Sequence, residues 1–153
     1  MKSLIKAVAI ILVLALIFLG SVSYYISSSK TNYEKEVEPM VWKILPELTS
    51  WNMQKISKHL DNQTKERLKT PEGQNALRLF AKLGSAKSCS KPMFLGSKRG
   101  FDFTKGVYEF VSYKLKCNFE NGKGVMRLIL KKSDGNFLID SFYIDSDLFR
   151  NYQ

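Results

Sequence analysis

The chain is expected to fold as an α+β domain, with N-terminal helices packed on a four-stranded antiparallel sheet and one hydrophobic helix preceding them. Three observations predict this. Apolar side chains recur at helical spacing between Tyr33 and Gly84 and at a spacing of two after it. Asn121-Gly122 and Asp134-Gly135 are tight-turn pairs that divide the last three alternating stretches. With 44% hydrophobic and 12% aromatic residues, four Pro and nine Gly, the 153 residues suit one packed domain and exclude disorder or a collagen-like chain.

The first thirty residues differ from the rest. Lys2 and Lys6 precede Ala7 to Gly20, which holds no charged side chain, and the first acidic residue is Glu34. A basic start before an apolar run marks an export signal or a membrane anchor. An apolar stretch over 7–26 is long enough to span a bilayer, and Tyr24 and Tyr25 would lie at its far interface. The reading is therefore a signal-anchor or signal peptide at 1–30 and an exported α+β domain at 31–153. The anchor places the protein in the inner membrane as a single-pass chain with its C-terminal domain in the periplasm. The alternative is a secreted or soluble periplasmic protein released by cleavage near Ser23, where small residues occur.

From Tyr33 the elements follow in order. Val37, Val41, Ile44 and Leu48 form one stripe, with Pro39 expected in the first turn and Pro46 expected to kink or end the helix. Trp51, Ile56 and Leu60 mark a second helical stretch with Thr49 or Ser50 as its cap, and a short piece near Asp61–Leu68 follows. Thr70 is expected to cap the next helix, with Pro71 at its first position and Glu72 in its first turn. Ala76, Leu79, Phe80 and Leu83 make its buried face, and Gly84 its left-handed stop. The expected strands are Ala86–Phe94, Val107–Phe119, Lys123–Lys132 and Asn136–Ile144, with a loop from Leu95 to Gly106. Pairing about Asn121-Gly122 puts Leu115 opposite Leu128, Tyr113 opposite Leu130 and Lys116 opposite Arg127. The last strand has no assignable register.

Cys89 and Cys117 are the only cysteines. They are placed symmetrically about residue 103, so a hairpin turning there sets them opposite one another, and export favours their oxidation to a disulfide. Two free thiols or a reactive pair are the alternatives, but redox pairs favour CxxC spacing.

Other chemistry is sparse. His59 is the lone histidine and has no second ligand at metal spacing; it reads as a helix-end side chain. Asp145 and Asp147 lack the third carboxylate and glycine of a calcium loop. Gly96 to Gly100 lacks the spacing of a phosphate loop and reads as a basic hairpin tip. No catalytic residue, metal ligand or cofactor is assigned. From Thr31 onward 21 basic and 14 acidic residues leave a charge of +7, which points to an anionic surface such as lipid headgroups, or to a protein partner, rather than to nucleic acid outside the cytoplasm. Tyr108, Phe110, Lys114 and Lys116 alternate away from the expected core, with Arg127, Ile129 and Lys131 on the next strand. Together they form the candidate binding face.

Helices leading into a curved antiparallel sheet resemble the cystatin-like group that includes the nuclear transport factor-like domains. The resemblance is carried by Leu48-Thr49-Ser50-Trp51-Asn52 between two helices and by Leu79-Phe80-Ala81-Lys82-Leu83-Gly84 leading into the first strand. It covers about Val37 to Ile144. It implies a small bacterial envelope protein, and the enzymes of the group imply an Asp, Tyr or His inside the cone of the sheet. No acidic residue here matches that position, and Asp140, the one acid inside the final strand, has no assigned face. An inhibitor of the cystatin kind is disfavoured by the lack of a Gln-Val-Val-Ala-Gly loop. The function expected is a non-catalytic, membrane-anchored or exported envelope module that binds a protein partner. The alternative is a small-molecule binder or isomerase-like enzyme with a pocket between Trp51, Phe80 and the concave sheet.

Overall fold

A computed structural model describes residues 11, 14–15, 33–102, 106–133 and 135–150. The expected span at 7–26 and cleavage near Ser23 lie outside the described residues, save Ile11, Leu14 and Ala15, which are helical. Among the described residues no helix is long and apolar enough to cross a membrane. The chain forms two units, 1–35 and 36–153.

Helix α1 covers 33–48. Val37, Val41, Ile44, Leu45 and Leu48 are buried along one side, the stripe that the 3.6-residue period requires. The helix runs through Pro39, which therefore does not stand in its first turn, and ends two residues past Pro46. Trp51 then takes a φ of 55°, a reversal that a large side chain adopts only when held in place. The hold is tertiary: its indole nitrogen donates to the Gly84 carbonyl at 2.9 Å, and its ring meets Phe80 at 5.9 Å and Phe119 at 6.2 Å. The cap of the next turn, α2 (Met53–Ile56), is Asn52 rather than Thr49 or Ser50. The hydroxyls of those two are spent on the α1 carbonyls of Leu45 and Glu47.

Helix α3 (Asn62–Lys69) is capped by Asp61, and α4 (Pro71–Ala81) by Thr70, with Pro71 at its start and Glu72 in its first turn as expected. A Cβ on Gly73 would stand 2.2 Å from the Arg67 carbonyl oxygen, so glycine is what lets α4 start so close to α3. Of the expected buried face of α4, Leu83 just beyond its end is fully buried, but Ala76, Leu79 and Phe80 are only half-buried.

The sheet has five antiparallel strands, not four: β1 (Ala86–Cys89), β2 (Met93–Asp102), β3 (Gly106–Phe119), β4 (Gly122–Ser133) and β5 (Asn136–Asp145). Both β1 and β2 lie along one edge of β3, and β4 and β5 follow on the other side. The expected first strand is split at Pro92, which has no amide to give to a ladder. Across the break, the Ser90 hydroxyl accepts from Lys116 N at 3.0 Å and Ser90 N donates to Lys116 O at 2.8 Å. The expected loop from Leu95 is mostly strand, because the first half of β3 offers an edge that β2 fills from Met93 to Asp102.

The β3–β4 register is two residues from the expected one: Leu115 faces Met126, Tyr113 faces Leu128 and Lys114 faces Arg127. The turn is Glu120-Asn121, one residue earlier than Asn121-Gly122. Its amides are captured from outside the hairpin, Glu120 N by Ser85 O at 3.1 Å and Asn121 N by Leu83 O at 2.9 Å. A slip of two preserves which residues face the core, so Val111, Tyr113, Leu115, Met126, Leu128 and Leu130 are all fully buried under the helices. The β4–β5 turn closes between Ser133 and Asn136, as expected.

Candidate functional site

The outward positions of β3 and β4 form a continuous surface. From Tyr108 to Asn118 on β3 and from Lys123 to Lys131 on β4, no outward position is acidic. Tyr108 lies across Gly100 of β2, where any Cβ would meet its hydroxyl at 2.4 Å, and its ring meets Phe110 at 5.7 Å. Phe110 stands opposite Lys131, Ser112 opposite Ile129, and Lys114 opposite Arg127. Exposed Met93 and Tyr143 continue the surface on the flanking strands.

The seven residues of the candidate face thus share one side of the sheet, with two changes in detail. Lys116 faces Val125, not Arg127. Lys131 reaches the edge of the sheet, 3.9 Å from the Asp61 carboxylate. Lys114 and Arg127 form no ion pair among the described residues.

Cys89 and Cys117 are directly opposite on β1 and β3 and are joined, with S–S 2.01 Å and Cα–Cα 4.1 Å. His59 ends a helical turn, its Nε2 2.8 Å from the Glu47 carboxylate, which also takes Lys58 at 2.9 Å. These hydrogen bonds, from Lys58 and then His59, hold the Glu47 carboxyl below its usual range. Among the described residues no three His, Cys, Asp or Glu side chains converge to hold a metal ion.

The last strand carries what the sequence could not place. Ile129 pairs with Ser141 and Leu130 with Ile139, so Asp140 is the extra residue of a bulge. The bulge turns its carbonyl toward α3, where the Thr64 hydroxyl donates to it and Arg67 Nη2 donates at 2.7 Å. Arg67 Nη2 also reaches the Thr64 oxygen at 2.8 Å. Burial, then the neighbouring Asp61 charge, push the Asp140 carboxyl up, against the opposing pull of Arg67 and Lys131.

Beside the bulge lies a cavity of about 710 Å³ between α3, α4, β5 and the short helix α5 (Asp147–Arg150). Its walls are the half-buried stripe of α4 and an aromatic cluster, in which Phe80 meets Phe142 and Phe149, each at 5.9 Å. The inner positions of β3 and β4 are fully buried, and the pocket expected between Trp51, Phe80 and the sheet lies instead at the inner positions of β5, Phe142 and Ile144. Phe80 lines it and Trp51 packs behind. Arg67, Phe142 and Phe149 were not singled out from sequence. The available sign was an α4 stripe richer in apolar side chains than one sheet face can cover.

No protein-family model, no curated protein and no solved structure matches this chain.

Proposed function

We propose that this chain is a non-catalytic interaction module of the bacterial envelope, cystatin-like in fold, that binds an acidic surface of a partner protein through the outer face of its sheet. Residues 7–26 anchor it in the inner membrane and the disulfide-bonded domain works in the periplasm. The observation that carries the reading is the Lys114–Arg127 pair. Two like charges directly opposite on neighbouring strands repel, and this pair sits within the acid-free outward run of β3 and β4, flanked by Phe110, Ile129 and Tyr143. A partner carboxylate placed between them relieves the repulsion, and the aromatic surroundings supply apolar contact area. The Cys89–Cys117 bond supports the compartment, since disulfides persist where the surroundings oxidise.

A photo-crosslinking amino acid at Ile129, used in the intact cells that make the protein, tests this. One discrete protein adduct is expected, lost in Lys114→Glu/Arg127→Glu and recovered when acidic residues of the partner are reversed to lysine. Adducts to lipid alone, or an adduct indifferent to the double reversal, would overturn it.

A further inference from the structure

We infer that the cavity between α3, α4 and β5 binds a single-chain amphiphile with one carboxylate, a long-chain fatty acid, with its head at Arg67 and its chain among Phe80, Phe142 and Phe149. The inference is independent of the outer sheet face and goes beyond the function proposed from it. The volume of about 710 Å³ falls within the roughly 300–1,000 Å³ usual for small-molecule sites. Its lining is mixed: Leu79, Phe80, Phe142, Ile144 and Phe149 are apolar, while Arg67, Thr70 and Ser141 bring polar groups.

The head-group end is a built feature. Arg67 is held from one side only, through Nη2, by the bulged Asp140 carbonyl and the Thr64 hydroxyl. That fixes the guanidinium plane, and its other nitrogens make no hydrogen bond or ion pair among the described residues. A fixed guanidinium with nitrogens to spare suits a carboxylate, which accepts two parallel N–H donors. Glu72 also lines the cavity, its carboxyl held below the ordinary range first by its own backbone amide, while the Thr70 hydroxyl donates to the Arg67 carbonyl at 2.9 Å. One available cation beside one acid selects a singly charged head over a dianionic phosphate.

Four residues of the apolar wall, Ala76, Leu79, Phe80 and Phe142, are half-buried rather than buried. Leaving such surface in water has a cost that a bound alkyl chain removes.

The test uses the full-length protein in phosphatidylcholine nanodiscs with a sixteen-carbon fatty acid carrying a mid-chain diazirine. After irradiation, adducts are expected on peptides covering 64–83 and 141–149. Palmitic acid should compete, and its methyl ester should compete roughly tenfold more weakly, because the charge-assisted pair with Arg67 is lost. Ala76→Trp, which fills the cavity, should abolish these adducts, and Arg67→Gln should lower them about tenfold. Lys114→Glu/Arg127→Glu should leave them unchanged, so the two readings fail separately. Adducts confined to residues 1–30, equal competition by acid and ester, or labelling that survives Ala76→Trp would overturn the inference.

Discussion

Two carboxylates respond to acid with opposite sign. Glu47 is held below its ordinary value of 4.5 by Lys58 and His59. Its contribution to stability is complete above that value and is lost as pH falls through the lowered folded value. Asp140 is raised from 3.8 by burial and by Asp61. Its contribution is complete below 3.8 and is lost as pH rises through the raised folded value. Denaturant midpoints followed from pH 7 to pH 3 should therefore fall less steeply for Glu47→Gln than for the parent. Asp140→Asn should be more stable than the parent at pH 7, with the gap closing on acidification. Trp51→Phe keeps the aromatic contacts but removes the donor to the Gly84 carbonyl, and chemical denaturation should show a loss of about 1 kcal/mol. No local pattern announces Trp51's reversed backbone, because it is held by Phe80, Gly84 and Phe119, all distant in sequence.

Among the elements, the α4 start was legible because capping is local, with Thr70 and Pro71 acting within one turn; the helix stops at the Lys82 cap, and Gly84 takes its left-handed turn two residues later. The faces of β3 and β4 were legible as well, since a period of two survives any even slip, whereas that of β5 was not. Register was not, because the Glu120-Asn121 turn is pinned by Leu83 and Ser85 from outside the hairpin. Gly84, at φ 73°, also stands where a Cβ would meet the Glu120 side chain at 2.4 Å. Gly84→Ala should cost about 1–2 kcal/mol of unfolding free energy from the backbone alone. The tie between β1 and β3 spans a sequence separation of 28. Its removal in Cys89→Ser/Cys117→Ser should lower stability by about 2–4 kcal/mol in a denaturant titration. The bulge at Asp140 had no sequence signature at all. An extra residue in a strand appears only once its partner is counted off, and the orientation of Arg67 was hidden with it.

For the molecule as a whole, the apolar start and the two cysteines make one joint prediction. Intact mass after alkylation without reduction should show a full-length chain in the membrane fraction with neither cysteine modified. A shorter soluble chain would replace the anchor with a cleaved signal, and two alkylated cysteines would remove the argument for an oxidising compartment. The outer face was readable in advance because it needs only alternation. The cavity was not, because it arises where four separate elements fail to close on one another. The long β2–β3 arm has a further consequence. Along Met93–Asp102 the β2 backbone pairs with β3 on one side, and among the described residues no strand lies on the other. Lys98 and Arg99 point to opposite faces of this open rim, and Arg99 is drawn to the inward-turned Glu109 at 3.1 Å. Such charges are gatekeepers against polymerisation, since a second copy zipping onto the rim would set lysine near lysine. The safeguard is electrostatic and hence ionic-strength dependent. Near 1 M salt, where charges are screened beyond about 3 Å, light scattering should reveal chains adding edge to edge, and Lys98→Thr should bring that onset to lower salt.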